Sequence, residues 1–180
     1  MTQRLVLLAD SIERLIARIG RAAAWAALLI VAVQFAVVVL RYVFGLGSIW
    51  LQESIVYAHA ALFLLGAAWT LAVGGHVRVD IFYADMLPRR KALIDLCGAV
   101  LLLLPFVLAI LFLSLPYVTR SWMILERSRE AGGLPLVFLL KTLIPLFAAL
   151  LALQGVAQAL RAWIVLRDDM PADAAGSATP

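Results

Sequence analysis

Two histidines, His59 and His76, and a few charged side chains, Glu53, Arg78, Asp80 and Lys141, stand out in a chain otherwise built of apolar runs. Two histidines raise the question of haem. A haem between membrane helices needs two imidazoles facing one another from different helices at one depth. His59 and His76 are seventeen residues apart on what reads as a single helix, and one helix cannot clamp both faces of a ring. His59 is therefore expected to hydrogen-bond to a neighbouring helix. His76 opens the most polar run of the first two-thirds of the chain, GGHVRVDIFYADMLPRRK, Gly74 to Lys91. Alternation in HVRVDIF would put His76, Arg78 and Asp80 on one face of a short extended or interfacial segment. They are expected to form a polar lock at the exit of a helix, within this chain or against a partner. No nucleophile or metal set accompanies them, and no CxxC, HExxH, Walker A or GxGxxG pattern occurs. Cys97 has no disulfide partner and reads as a packed small hydrophobe. No catalytic, cofactor-binding or metal-binding residue is assigned, and no cofactor is expected.

The elements that must hold these groups follow from composition. Of 180 residues, 65% are hydrophobic and 14% charged, and the mean hydropathy is +1.03. A soluble domain has about 45–50% apolar and about 25% charged residues. The surplus lies in long runs, so the chain is an integral membrane protein. The net charge of +4 does not point to nucleic acid, because the basic residues sit at the ends of apolar runs, where they meet lipid headgroups and set topology.

The expected fold is all-α, with four transmembrane helices and an N-terminal amphipathic interfacial helix. Residues 1–21 do not read as a signal peptide, since Asp10, Glu13 and Arg14 interrupt the apolar run. Leu5, Leu8, Ile12, Leu15, Ile16 and Ile19 recur at helical spacing, and Asp10-Ser11-Ile12-Glu13 resembles a capping box. A transmembrane domain, 22–165, follows, with spans at about 22–40, 50–73, 92–118 and 134–163. Each reaches the roughly 20 residues needed to cross about 30 Å of hydrocarbon. Pro105, Pro116 and Pro145 are the expected kink points. Residues 166–180 have the composition of a disordered tail. Lysine and arginine concentrate before span one, between spans two and three, and at the C-terminal end, which predicts cytoplasmic termini. The loops 45–49 and 120–133 then face outward, and Trp25, Trp50, Trp122 and Trp163 mark span ends.

Inside the membrane, ionisable groups are costly and need a partner. Glu53 and Lys141 enter from the same side at similar depth, which predicts an ion pair between them. Snorkelling by Lys141, or pairing of either residue with another protein, are the alternatives. Small residues suggest close helix contacts along Ala60, Ala67 and Gly74, and along Ala148, Ala152, Gly155 and Ala159. Clustered mid-membrane polar groups of the kind that line a substrate path are not evident, so the residues suggest an accessory or scaffold subunit.

The segment 41–91 resembles the small membrane subunit of TRAP (tripartite ATP-independent periplasmic) transporters, the DctQ type. The resemblance rests on RYVFG, then WLQESIVYAHAALFLLGAAW, then GGHVRVDIFYADMLP, with Arg41, Tyr42, Trp50, Glu53, Gly66, Ala67, Gly75, His76 and Asp80 at the pattern positions. The loop element SREAGGLP resembles a subset of that family. The resemblance implies a scaffold role beside a large membrane subunit that holds the sodium and substrate sites. It also implies a periplasmic binding protein that delivers an organic anion, often a carboxylate, and an inner-membrane location with membrane lipids as surroundings. It assigns no catalytic residue to this subunit. Two other readings compete: a small four-helix redox subunit binding quinone or haem, and a self-assembling channel.

Overall fold

The computed structural model of the protein describes residues 2–76, 83 and 85–168. These form four long helices, all of a length and apolarity that cross a membrane, and no strand occurs among them. Helix α1 runs Thr2–Val43, α2 Ile49–Ala72, α3 Pro88–Met123 and α4 Val137–Asp168. Successive helices run antiparallel, so the N-terminus and the end of α4 share one end of the molecule. That end is called the near end below, and the opposite one the far end.

Two elements were expected before residue 40, and the structure has one. α1 continues unbroken through residue 21. Ser11, read as part of a helix start, lies within the helix and donates to the Leu7 carbonyl at 2.7 Å. The run contains no proline, and its interior glycine, Gly20, is buried against the side chain of Trp69 in α2. Any Cβ there would stand about 2.6 Å from Trp69 Cγ. The glycine that favours a break in isolation thus lets two helices approach. At about 1.5 Å per residue, α1 is roughly 63 Å long, about twice the hydrocarbon thickness.

The ends of α2 are those its residues dictate. Ser48 caps the start, accepting from the Leu51 N–H at 3.4 Å. At the other end Gly74 has φ +68°, the Gly75 N–H reaches the Thr70 carbonyl at 2.8 Å, and the Gly74 N–H reaches Leu71 at 3.1 Å. This paired return is the Schellman motif, and it requires a residue that tolerates positive φ. Pro88 opens α3, four residues before the expected start of that span.

α3 is α-helical over Pro88–Cys97 and Leu104–Met123, with a π-helical segment, Gly98–Leu103, between them. The segment ends just before Pro105, one of the expected kink points. Its effect shows in the buried positions. Ala92 and Ala99 are seven residues apart, and so are Val107, Ser114 and Ser121, but Ala99 and Val107 are eight apart. The wider turn absorbs one residue and keeps a single face of α3 on the bundle. Cys97 is exposed, not packed, because it sits off that face.

α4 is the centre of the molecule. It packs against α1, α2 and α3, whereas α3 packs chiefly on α4. A cluster of Ile16, Ala68, Val107, Leu150 and Leu151 draws one or two residues from each helix. Ala148, Gly155 and Ala162 lie buried at heptad spacing along α4, and Gly155 meets Leu103 and Leu104 of α3. The small face expected on α4 is therefore used. On α2 the buried small residues are Ala58 and Ala68, not the expected stripe through Ala60, Ala67 and Gly74.

Candidate functional site

Among the described residues, the charged side chains that tie distant elements together gather in two clusters, one at each end. At the far end, Glu53 lies one turn into α2 and reaches across to the segment linking α3 and α4. Its Oε2 accepts from the Leu134 N–H at 2.6 Å, and its Oε1 accepts from the Ser128 hydroxyl. Ser128 Oγ in turn accepts from the Glu130 N–H at 3.1 Å. The loop closes on itself through Ser128 N–H to Leu134 O and Gly133 N–H to Glu130 O, at 3.1 and 3.0 Å. Gly132 takes φ +82°. Gly133 is crowded: a Cβ there would stand about 2.6 Å from Ser128 Cβ and 2.8 Å from Glu53 Oε1. SREAGGLP is thus a compact loop whose two glycines supply a left-handed turn and a close approach, around a carboxylate that takes a hydroxyl and a backbone donor.

Lys141 does not pair with Glu53. Its Nζ contacts Glu126 Oε2 at 2.5 Å and lies 4.0 Å above the Tyr117 ring. Glu126 also accepts from Ser121 at 2.7 Å. Glu53 and Lys141 both lie near the far end, but the loop between α3 and α4 supplies its own acid and its own donors. Each charge finds a nearer partner there. The Lys141 and Ser121 hydrogen bonds hold the Glu126 carboxyl below the usual carboxylate range. Trp122 fastens the same corner, donating to Thr142 Oγ1 at 2.8 Å and packing edge-on against Phe138.

At the near end, Arg161 of α4 forms a fork to α1. Its Nε and Nη2 reach the Glu13 carboxylate at 2.7 and 2.6 Å, and Nη2 also reaches Asp10 at 2.7 Å. The two acids read as a helix cap are thus helix-to-helix ties. Beside them an open cleft of about 580 Å³ is lined by Gln154, Gln158, Lys91, Asp95, Glu13 and apolar residues of α2 and α4.

The remaining sequence candidates are not drawn together. His59 is exposed on α2 with Phe63 stacked on it at 6.4 Å, and no hydrogen bond to another helix is seen. The expected helix-to-helix bond is therefore absent among the described residues. Arg41 and Trp50 are exposed near the far end, and His76 is exposed beyond the end of α2. Arg78 and Asp80 lie outside the described residues, so the proposed lock and the extended segment lie outside them too. The residues that sequence reasoning passed over are Glu126, Ser128, Gly133 and Arg161 in their actual roles. The signal for the first three was the paired glycines after a run of charges, in a loop that must return to a buried helix end.

Four apolar helices fastened by charge clusters at both ends define a multi-pass membrane protein. The family model for the DctQ component of tripartite ATP-independent periplasmic transporters matches residues 30–164, well over half of the chain. The chain belongs to that family and is a small TRAP transporter subunit. No curated protein and no solved structure matches it.

Proposed function

We propose that the chain is the fixed scaffold subunit of its transporter, lying beside a large membrane subunit that imports an organic anion with sodium. The observation that carries this is the use of the two charges nearest the hydrocarbon. Glu53 and Lys141 both fasten the far-end loop to the bundle, which suits a rigid support. In this reading the near end is cytoplasmic, the membrane is the bacterial inner membrane, and the far-end loop faces the periplasmic binding protein. The positive-inside distribution of Lys and Arg supports that orientation. The protein performs no chemistry of its own.

Co-expression with a large TRAP membrane subunit and a periplasmic binding protein tests this reading. The chain should co-purify with the large subunit, and sodium-driven uptake should vanish when either is deleted. Full uptake without this chain overturns the reading. The competing redox reading needs a facing histidine pair. His59 points outward and His76 lies past the end of the same helix, so nothing favours it. A Soret band retained on the purified protein would reverse that judgement.

A further inference from the structure

The exposed faces of the helices differ in one respect that matters in hydrocarbon. On α3, the exposed side chains between Val100 and Leu115 are apolar, among them Leu101, Leu102, Phe106, Phe112 and Leu113. The polar residue in that stretch, Ser114, is buried and donates to the Leu111 carbonyl. This is a surface that lipid tails can cover.

The hairpin of α1 and α2 presents something else. Along α1, residues 27, 31, 34, 38 and 41 are exposed at heptad spacing, and two of them are Gln34 and Arg41. Along α2, residues 49, 52, 56, 59 and 63 form a matching exposed stripe, which includes Gln52 and His59. The stripes meet. Arg41 and Gln52 line one groove at the far end, with Val37, Leu40 and Leu51 between them. One heptad deeper from Arg41 is Gln34, and one heptad deeper from Gln52 is His59. Gln34 stands nine residues before the end of α1 and His59 ten residues after the start of α2, roughly 14 and 15 Å in at 1.5 Å per residue. Both therefore sit near the middle of a bilayer about 30 Å thick. Neither Gln34 nor His59 has a hydrogen-bond partner among the described residues. An amide and an imidazole at that depth find no partner in lipid tails, and each is stabilised only where another protein supplies one.

We propose that this α1–α2 face is the surface that docks the large membrane subunit, with Gln34 and His59 hydrogen-bonding to polar side chains or helix backbone of that subunit at mid-bilayer. The inference rests on the scaffold reading above and adds the face to it. The heptad stripes fit a partner helix crossing at a shallow angle, and the α3 face is left to lipid.

Photocrosslinking in the intact complex tests it. A benzophenone side chain is introduced singly at Val56, Phe63, Val31 or Val38, beside the two polar residues, and at Leu102 or Leu113 on α3 as controls. The first four are expected to capture the large subunit and the last two not. The double variant Gln34→Leu, His59→Leu should weaken co-purification of the large subunit roughly tenfold, while the subunit alone keeps its helical content. Leu102→Gln should leave co-purification intact. Capture from α3 alone, or adducts from 56 and 63 only to a second copy of this chain, overturns the docking face but leaves the scaffold reading standing. Failure of the chain to co-purify with any large membrane subunit overturns both.

Discussion

Glu53 at the far end and Arg161 at the near end both join distant parts of the chain, 81 and 151 residues apart for their longest links to Leu134 and Asp10. They do so by different means. Glu53 is part-buried and grips backbone: the Leu134 N–H and a loop hydroxyl have no other acceptor in view. Arg161 is nearly half exposed and meets other side chains, whose acids are themselves partly open to solvent. A part-buried carboxylate serving a backbone donor determines the shape of a loop, because its removal leaves that donor unpaired. A solvated fork between two helices adds a modest, salt-screened attraction to contacts that packing already makes. Similar charge chemistry thus defines a loop at one end and trims a helix crossing at the other.

The contrast can be broken most sharply at Glu53. Glu53→Ala is expected to cost about 2–3 kcal/mol and to expose the 124–136 segment to protease, read by thermal unfolding in detergent and by cleavage mapping. An unchanged cleavage pattern would remove the far-end half of the comparison. Gly133→Ala should cost about 2 kcal/mol, because its Cβ meets Ser128 and Glu53 with no room to yield. The same substitution at Gly66, where a Cβ meets open space, should be close to neutral. Arg161→Ala should cost about 1 kcal/mol or less, and the deficit should shrink as salt rises from low to molar concentration. A deficit independent of salt would mean the fork is better shielded than its exposure suggests.

The smallest effect concerns pH. A carboxyl held below its ordinary value contributes stability that is present above its unfolded value and lost as pH falls through its folded value. The Lys141–Glu126 contact should therefore be intact from neutral pH down to the ordinary carboxylate value of 4.5 and loosen only below it. Glu126→Gln should flatten that acid limb. Loosening between pH 7 and 5 would assign the transition to another group.

The spans were legible because a hydrocarbon layer imposes one rule on every residue: about twenty apolar positions in a row. The C-terminal end of α2 was legible for a second local reason, since Gly74 and Gly75 can close a helix where few other residues can. Connections between helices were not. Asp10 and Glu13 satisfy the local pattern of a cap, and only the position of α4 shows that they face Arg161. Glu53 and Lys141 were correctly singled out as needing partners. Their partners were misassigned because depth is a one-dimensional coordinate, and the loop between Met123 and Val137 folds back into the same layer. In each case the missing quantity was which helix stands beside which, a matter of packing that hydropathy does not encode.

The π turn in α3 has a consequence for how this gene tolerates length changes. The turn holds one residue more than the seven-residue rhythm of the buried face requires. Deleting a single residue within Val100–Leu103 would leave Ala92, Ala99 and Val107, as then spaced, in one uninterrupted heptad register, and the helix would close up as regular α. The same deletion between Val107 and Ser121 would swing the following residues by about 100° and turn Ser121 and Glu126 together away from Lys141. The third helix thus carries slack at one place, and a one-residue deletion there should be absorbed where its neighbours' would not.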